Sequence, residues 1–476
     1  MKITRFMALA AVTLLLFACE KEEVFMNDSI ENSMVKSKKI QNSTSYMVIS
    51  QSESLSDGLE DAIKNYGTVV RTIPQIGIVV VESSDPNFEK KVAKISNVRS
   101  VVPDLMVQWI APMDFDPMAN PVSIGDDEQF FNRQWGMDAI DAPEAWNAGY
   151  QGEGVKVFIL DSGIDAEHPD LAPNLNSELS KSFVDYDGDG EADEDWNIQP
   201  GFYFNHGTHV AGIVAAADNV STDLNTGVIG VAPKAELVAV KVLSEYSGSG
   251  AFSWINAGIV YAAENGADVI NMSLGAVLNK NGFVYDDEGN LVGRYSPKSV
   301  QEVIHAQQRA INYANYKGAT VVVAAGNDYM NADGNGSTVI LPADLNNVIT
   351  VSATAPYGWA YDTTTNLDEP ASYSNIGRSL VDIAAPGGDF DFPNNFWWYD
   401  MVYSTISGGW TWTAGTSMAS PHVAGVAALI IGKNGGDMAP HEVRKQLLNT
   451  ADKIDTNGNS IFYGKGRLNA FRAVTE

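Results

Sequence analysis

Several short apolar runs, none with polar alternation, constrain this chain more than anything else in it. They lie at residues 155–160, 237–243, 269–272, 320–325, 348–353 and 380–384. A strand that shows one face to water alternates apolar and polar side chains; a strand covered on both faces does not. Between the runs lie segments of helical character, at 210–217, 254–264, 300–316 and 440–450. Buried strands alternating with helices predict an α/β fold, a mainly parallel sheet sandwiched by helices. In such sheets the sites collect outside the carboxyl ends of the strands.

Ahead of this alternation the order is different. Residues 46–49 read as a strand, 55–66 as an amphipathic helix, 68–73 and 77–82 as strands, 88–95 as a helix and 98–107 as a strand. This β-α-β-β-α-β order predicts a small α+β, ferredoxin-like domain over 46–110. Residues 111–125, with Pro112, Pro117 and Pro121, read as a linker and a cleavage zone, which sets the α/β domain at 126–476.

The amino terminus carries an address. Lys2 and Arg5 lead into an apolar run that ends at Ala18, too short to span a bilayer. A basic start, a short apolar stretch and a small residue before the cut define a secretory signal over 1–18. Leu16-Phe17-Ala18-Cys19 resembles a bacterial lipobox, with Phe17 bulkier than usual at its position. The resemblance implies cleavage before Cys19, lipidation of that cysteine and a polar linker over 19–45, giving an envelope or surface lipoprotein. An ordinary cleaved signal, and hence a secreted protein, is the alternative. Cys19 is the one cysteine, so no disulfide, zinc or iron–sulfur framework can form within the chain. A formal net charge of −29 excludes nucleic acid as a partner, because the surface repels phosphate.

Chemistry concentrates in three stretches. Gly415-Thr416-Ser417-Met418-Ala419-Ser420-Pro421-His422-Val423-Ala424-Gly425 opens a buried helix, and Pro421 requires the start to lie close to Ser417. That sets a hydroxyl at a helix N-terminus, where free N–H groups favour developing negative charge. Helix capping by Thr416 and Ser417 is the plainer reading. In the second stretch, Val157-Phe158-Ile159-Leu160-Asp161-Ser162-Gly163, a carboxylate ends a buried strand. The third, Asn205-His206-Gly207-Thr208-His209-Val210-Ala211-Gly212, sets His206 at the start of a tightly packed helix, with His209 a core residue one turn on. A serine nucleophile needs a base, and the base needs a carboxylate to fix its tautomer.

With Asp161, His206 and Ser417 in that order, the chain resembles the subtilisin-like serine proteases from about residue 126 to 474. The resemblance implies a serine endopeptidase that acts on protein or peptide substrates without a catalytic metal. It implies that Asn327, after Ala324-Ala325-Gly326, donates its amide to the oxyanion, with the Ser417 N–H as second donor. Gly248-Ser249-Gly250 and Ser273-Leu274-Gly275 resemble the two edge segments that take up an extended peptide. It also implies that residues 46–110 are a propeptide that inhibits the enzyme until it is cut off; a retained substrate-recruiting domain is the alternative.

Structural Ca²⁺ is expected on two grounds. Asp185, Asp187, Asp189 and Asp193 alternate around glycine turns like the start of a Ca²⁺ loop, although Trp196 stands where a full EF-hand has glutamate. By resemblance alone, a second site involves Asp127, Asp170 and groups near Asn225, Thr226 and Val228. Two insertions complete the reading. Residues 279–299 form a hairpin beside the substrate segment, and 389–412 carry many aromatic side chains that either form a recognition patch or pack on the core. Asp328 and Asp333 suggest a basic residue before the scissile bond. The sum is an autoprocessed, exported serine endopeptidase; a surface binding protein that cuts only itself is the alternative.

Overall fold

The computed structural model describes residues 44–110, 128–198, 205–218, 227–285, 291–391, 397–455 and 458–476. The signal, Cys19 and most of the linkers therefore lie outside the described residues.

The amino-terminal module has strands β1 (Thr44–Ser50), β2 (Thr68–Ile73), β3 (Ile78–Ser83) and β4 (Val98–Pro103), with helices α1 (Leu59–Ile63) and α2 (Phe88–Val92). The sheet is antiparallel throughout, in the order β2-β3-β1-β4, as the ferredoxin-like pattern predicts. Helix α1 is shorter than the expected 55–66. Ser52 bonds the Ser54 carbonyl and the Ser56 hydroxyl, and such local side-chain bonds compete with helix formation. One sheet face buries Val48, Val79 and Val81 against Leu59, Ile63, Phe88 and Val92 of the two helices. The other face, with Met47, Ile49, Ile78 and Val80, joins one apolar core with Phe252, Ile255 and Ile259 of the main body. Period-2 alternation in β3 thus serves two cores at once.

The expected strand over 98–107 is two strands. After Pro103 the chain leaves the module sheet, and Asp104 accepts hydrogen bonds from the N–H and hydroxyl of Ser253, beside the start of a body helix. β5 (Met106–Gln108) then pairs with a strand of the body.

The body is built on one eight-stranded sheet. Its central strands are β6 (Lys156–Asp161), β8 (Glu236–Lys241), β10 (Val269–Met272), β14 (Thr320–Ala324) and β16 (Ile349–Ala355); β7 (Lys181–Ser182) lies at one edge, and β17 (Glu369–Pro370) and β18 (Ile383–Pro386) at the other. The order is β17-β16-β14-β10-β6-β8-β7, with β18 also on β16; every pairing is parallel except β16 with β17. Along β6, Val157 and Ile159 enter one core, while Phe158 and Leu160 enter the other. The sheet is therefore covered on both faces, as the unalternating runs require. Helices α3 (His206–Ala215) and α6 (Thr416–Lys433) lie on the first side, and α4 (Phe252–Glu264) and α5 (Pro297–Tyr316) on the second. Among the described residues no helix is long and apolar enough to cross a membrane.

The 279–299 insertion contains the antiparallel pair β12 (Phe283–Tyr285) and β13 (Leu291–Arg294). The aromatic insertion largely packs inward. Tyr399, Tyr403 and Trp412 are core residues, whereas Phe390 and Trp397 are exposed. Phe392 and Phe396 lie outside the described residues.

Candidate active site

Asp161 ends β6 and His206 opens α3, so two elements bring their termini together at one edge of the sheet. His206 Nδ1 lies 2.9 Å from both carboxylate oxygens of Asp161, and both side chains are buried. The Ser162 N–H donates to Asp161 Oδ1 at 2.7 Å, and the Ser162 hydroxyl accepts from the Gly207 N–H at 3.1 Å. Gly207 is required by this closeness, because a Cβ there would collide with the Gly163 carbonyl. His209, one turn on, is fully buried, and burial pushes its imidazole down to about 3. It is a neutral core residue, as expected.

Ser417 is the second residue of α6, whose sixth is Pro421. Proline cannot donate to the carbonyl four residues back, which here is that of Ser417. The Ser273 hydroxyl donates to that carbonyl instead, at 2.7 Å, and the Asn271 amide donates to Ser273 Oγ at 2.9 Å. The proline therefore leaves an acceptor through which an edge segment grips the serine's backbone. Ser417 Oγ donates to the Ser273 carbonyl at 3.1 Å, not to His206.

Asn327 lies just past β14. Its side-chain oxygen accepts from the Thr416 N–H at 3.0 Å and the Thr416 hydroxyl at 2.8 Å. The amide nitrogen is left to face Gly415, where a Cβ would stand 3.4 Å from it. Gly326, at φ 95°, turns the chain into this position, and its N–H donates to Thr416 Oγ1 at 3.0 Å.

The two expected substrate segments are in contact with the chain itself. β5 pairs antiparallel with β9 (Ser249–Ala251), with Val107 opposite Gly250 and Gln108 opposite Ser249. The Trp109 N–H donates to the Gly248 carbonyl and the Gly275 N–H to the Trp109 carbonyl, both at 3.1 Å. The Trp109 indole N–H donates to the Gly250 carbonyl at 2.9 Å, with its ring edge-on to Phe252 at 4.8 Å. Residues 106–109 thus run as an added strand between the segments, the geometry of β-augmentation. Leu274 and Ala325 are buried beneath. β11 (Ala276–Asn279) continues from Gly275 and pairs with β15 (Thr338–Leu341), so the insertion does flank this segment.

Of the acidic loop, Asp185, Asp187 and Asp193 bring carboxylate oxygens within 4.8 Å of one another and fit a cation. Asp189 stands apart and caps the Glu191 N–H. Burial pushes the Asp185 carboxyl up, against the Gly188 N–H and the Arg71 guanidinium, which pull it down. That guanidinium comes from the amino-terminal module, 3.7 Å from Asp185 Oδ2. Of the second expected metal site, Asp127, Asn225 and Thr226 lie outside the described residues. Asp170 is buried and accepts from the Val228 N–H at 3.0 Å and the Trp410 indole at 2.7 Å. Sequence reasoning missed Glu128: its Oε2 and Asp170 Oδ1 both flank Gly227, so closely that a Cβ there would meet each within 2.8 Å. The adjacent acidic pair Asp127-Glu128 was its only signal. Asp333 is tied to the Arg378 and Ser379 N–H groups, and Asp328 to Asn375.

Together these features describe a serine peptidase site on a parallel α/β sheet, and comparison with known sequences identifies the lineage. The signature of the subtilase family matches residues 152–466, and this chain belongs to that family. It is a subtilisin-like serine endopeptidase. It is 36% identical to thermitase of Thermoactinomyces vulgaris over 348 residues, which are 73% of this chain and 98% of that protein. It is 37% identical to subtilisin E of Bacillus subtilis strain 168 over 342 residues, 71% of each. In structure it is similar to the epidermin leader peptide processing serine protease of Staphylococcus aureus. The TM-score is 0.70 at 26% identity, across 91% of this chain and 98% of that one.

Proposed function

We propose that Ser417 is the nucleophile, His206 its general base and Asp161 the carboxylate that fixes the imidazole tautomer and stabilises the imidazolium. Ser417 Oγ attacks the scissile carbonyl while His206 takes its proton; His206 then returns that proton to the leaving amine, and water releases the acyl-enzyme. The Asn327 amide and the Ser417 N–H bind the developing oxyanion. The observations that carry this reading are the buried Asp161–His206 pair at 2.9 Å and Ser417 at a helix N-terminus, next to the Gly415 that the Asn327 amide nitrogen faces.

We further propose that the amino-terminal module is an inhibitory propeptide removed by self-cleavage after β5. The antiparallel pairing of 106–108 with Ser249–Ala251 supports this, since it fills the edge an extended substrate would use. The loop carboxylates Asp185, Asp187 and Asp193 would hold a structural Ca²⁺, which screens their mutual repulsion. Export and lipid anchoring at Cys19 rest on the amino-terminal sequence.

The test is intact mass of protein made without its signal. Wild type should lose a segment ending shortly after Ile110, and Ser417→Ala should keep it. Equal processing of both chains would sink the self-cleavage reading, and a fluorogenic peptide still cut by Ser417→Ala would sink the nucleophile.

A further inference from the structure

Lys241 ends β8, in parallel register with Asp161 of β6. It is fully buried, which strips its ammonium of water and makes its partners obligatory. They are the Ser162 carbonyl at 2.6 Å, Glu245 Oε2 at 2.7 Å and Glu194 Oε2 at 3.0 Å. Glu194 is held in turn by the Ser244 hydroxyl at 2.7 Å, the Glu245 N–H at 2.9 Å and the Tyr186 hydroxyl. Tyr186 belongs to the acidic loop, so a continuous polar path runs from that loop to Ser162.

Ser162 is where the path meets the active site. Its N–H holds Asp161 Oδ1, its hydroxyl holds the N–H of the residue after His206, and its carbonyl holds Lys241. One residue therefore touches both sides of the Asp–His pair, and its remaining polar group is fixed by a buried ammonium. The ammonium has three donors, and with the two glutamates taking two of them the Ser162 carbonyl takes the third.

The geometry points to Lys241 as a positioning residue that, through Ser162, fixes the Asp161 carboxylate relative to His206 for peptide-bond hydrolysis. The inference rests on the proposed roles of Asp161 and His206, which Ser417→Ala tests separately.

The experiment compares processed wild type with Lys241→Met/Glu194→Gln/Glu245→Gln, which removes the three charges together and leaves none buried alone. Two readouts are taken on folded protein: kcat and KM for a peptide substrate, and the far-downfield proton resonance of the His206 Nδ1–H bonded to Asp161. The expected result is a fall in kcat of about tenfold to a hundredfold with KM unchanged, as small misplacements of reacting groups produce, and a shifted or lost resonance. Wild-type kcat and an unmoved resonance in the folded variant would overturn the role. If the variant does not fold, Tyr186→Phe decides alone. It removes one donor from Glu194, so about a fivefold fall in kcat with a shifted resonance is expected, and no change in either overturns the proposal. Activity retained by Ser417→Ala would overturn the triad itself, whereas an inactive Ser417→Ala beside a fully active Lys241 variant overturns only the positioning role.

Discussion

The side-chain oxygen of Asn327 accepts two hydrogen bonds from Thr416, so only its –NH₂ end remains free to face Gly415. An amide whose acceptor is taken cannot flip without leaving the Thr416 N–H unpaired. Asn327→Ala should therefore lower kcat about 100- to 1,000-fold while KM changes little, the usual cost of losing one oxyanion donor. Steady-state kinetics on processed enzyme checks this; a matching rise in KM would instead mean that Asn327 binds the ground state. Asn327→Asp should not rescue, because a carboxylate offers no donor. Asp161, His206, Ser417 and Asn327 could be picked out in the sequence as candidates because each sits in a local motif at a strand or helix terminus. The devices that aim them were not. Thr416 is 89 residues from Asn327, and Ser273 is 144 from Ser417, separations that no local pattern spans.

Apart from His206, helices α3 and α6 each carry one fully buried histidine, His209 and His422, and both should make stability depend on pH. Burial pushes His209 down to about 3 and His422 down to about 4, against an ordinary value near 6.5. The folded state therefore holds both neutral while the unfolded chain protonates first as pH falls. The stability they contribute is complete above about pH 6.5 and is lost as pH falls toward 4, by about 2–3 kcal/mol for each histidine at pH 4.5. Calorimetry of Ser417→Ala, which cannot digest itself on the proposed reading, should show the midpoint falling over this range. His422→Asn, which can keep a donor near the Met418 carbonyl, should flatten the fall; an equal slope in both proteins would show that the charge loss lies elsewhere. At this scale the sequence was informative about strands and less so about short helices. Unalternating runs mark β6, β10 and β14 to within a residue or so, because burial on both faces excludes polar side chains. The expected strand over 98–107 divides because Asp104 is tied to Ser253 and the backbone of 106–108 pairs with another sheet edge, a change of partner that side-chain period does not carry.

Among the described residues, contacts of several kinds join the amino-terminal module to the body. One face of its sheet shares a core with α4, Arg71 reaches Asp185, and β5 lies along β9. With Ca²⁺ bound at the acidic loop, the body should gain stability; excess chelator should lower the melting temperature of mature enzyme, and an unchanged midpoint would sink the Ca²⁺ assignment. The strand at β9 has a kinetic consequence. While the chain is continuous, residues 106–109 compete for that edge as a tethered ligand, at an effective concentration of millimolar order whatever the protein's own dilution. Once the tether is cut, the same contacts become those of a separate molecule, and occupancy falls with dilution. On the proposed reading, a single hydrolysis therefore turns a latch that holds at any concentration into one that opens when the protein disperses.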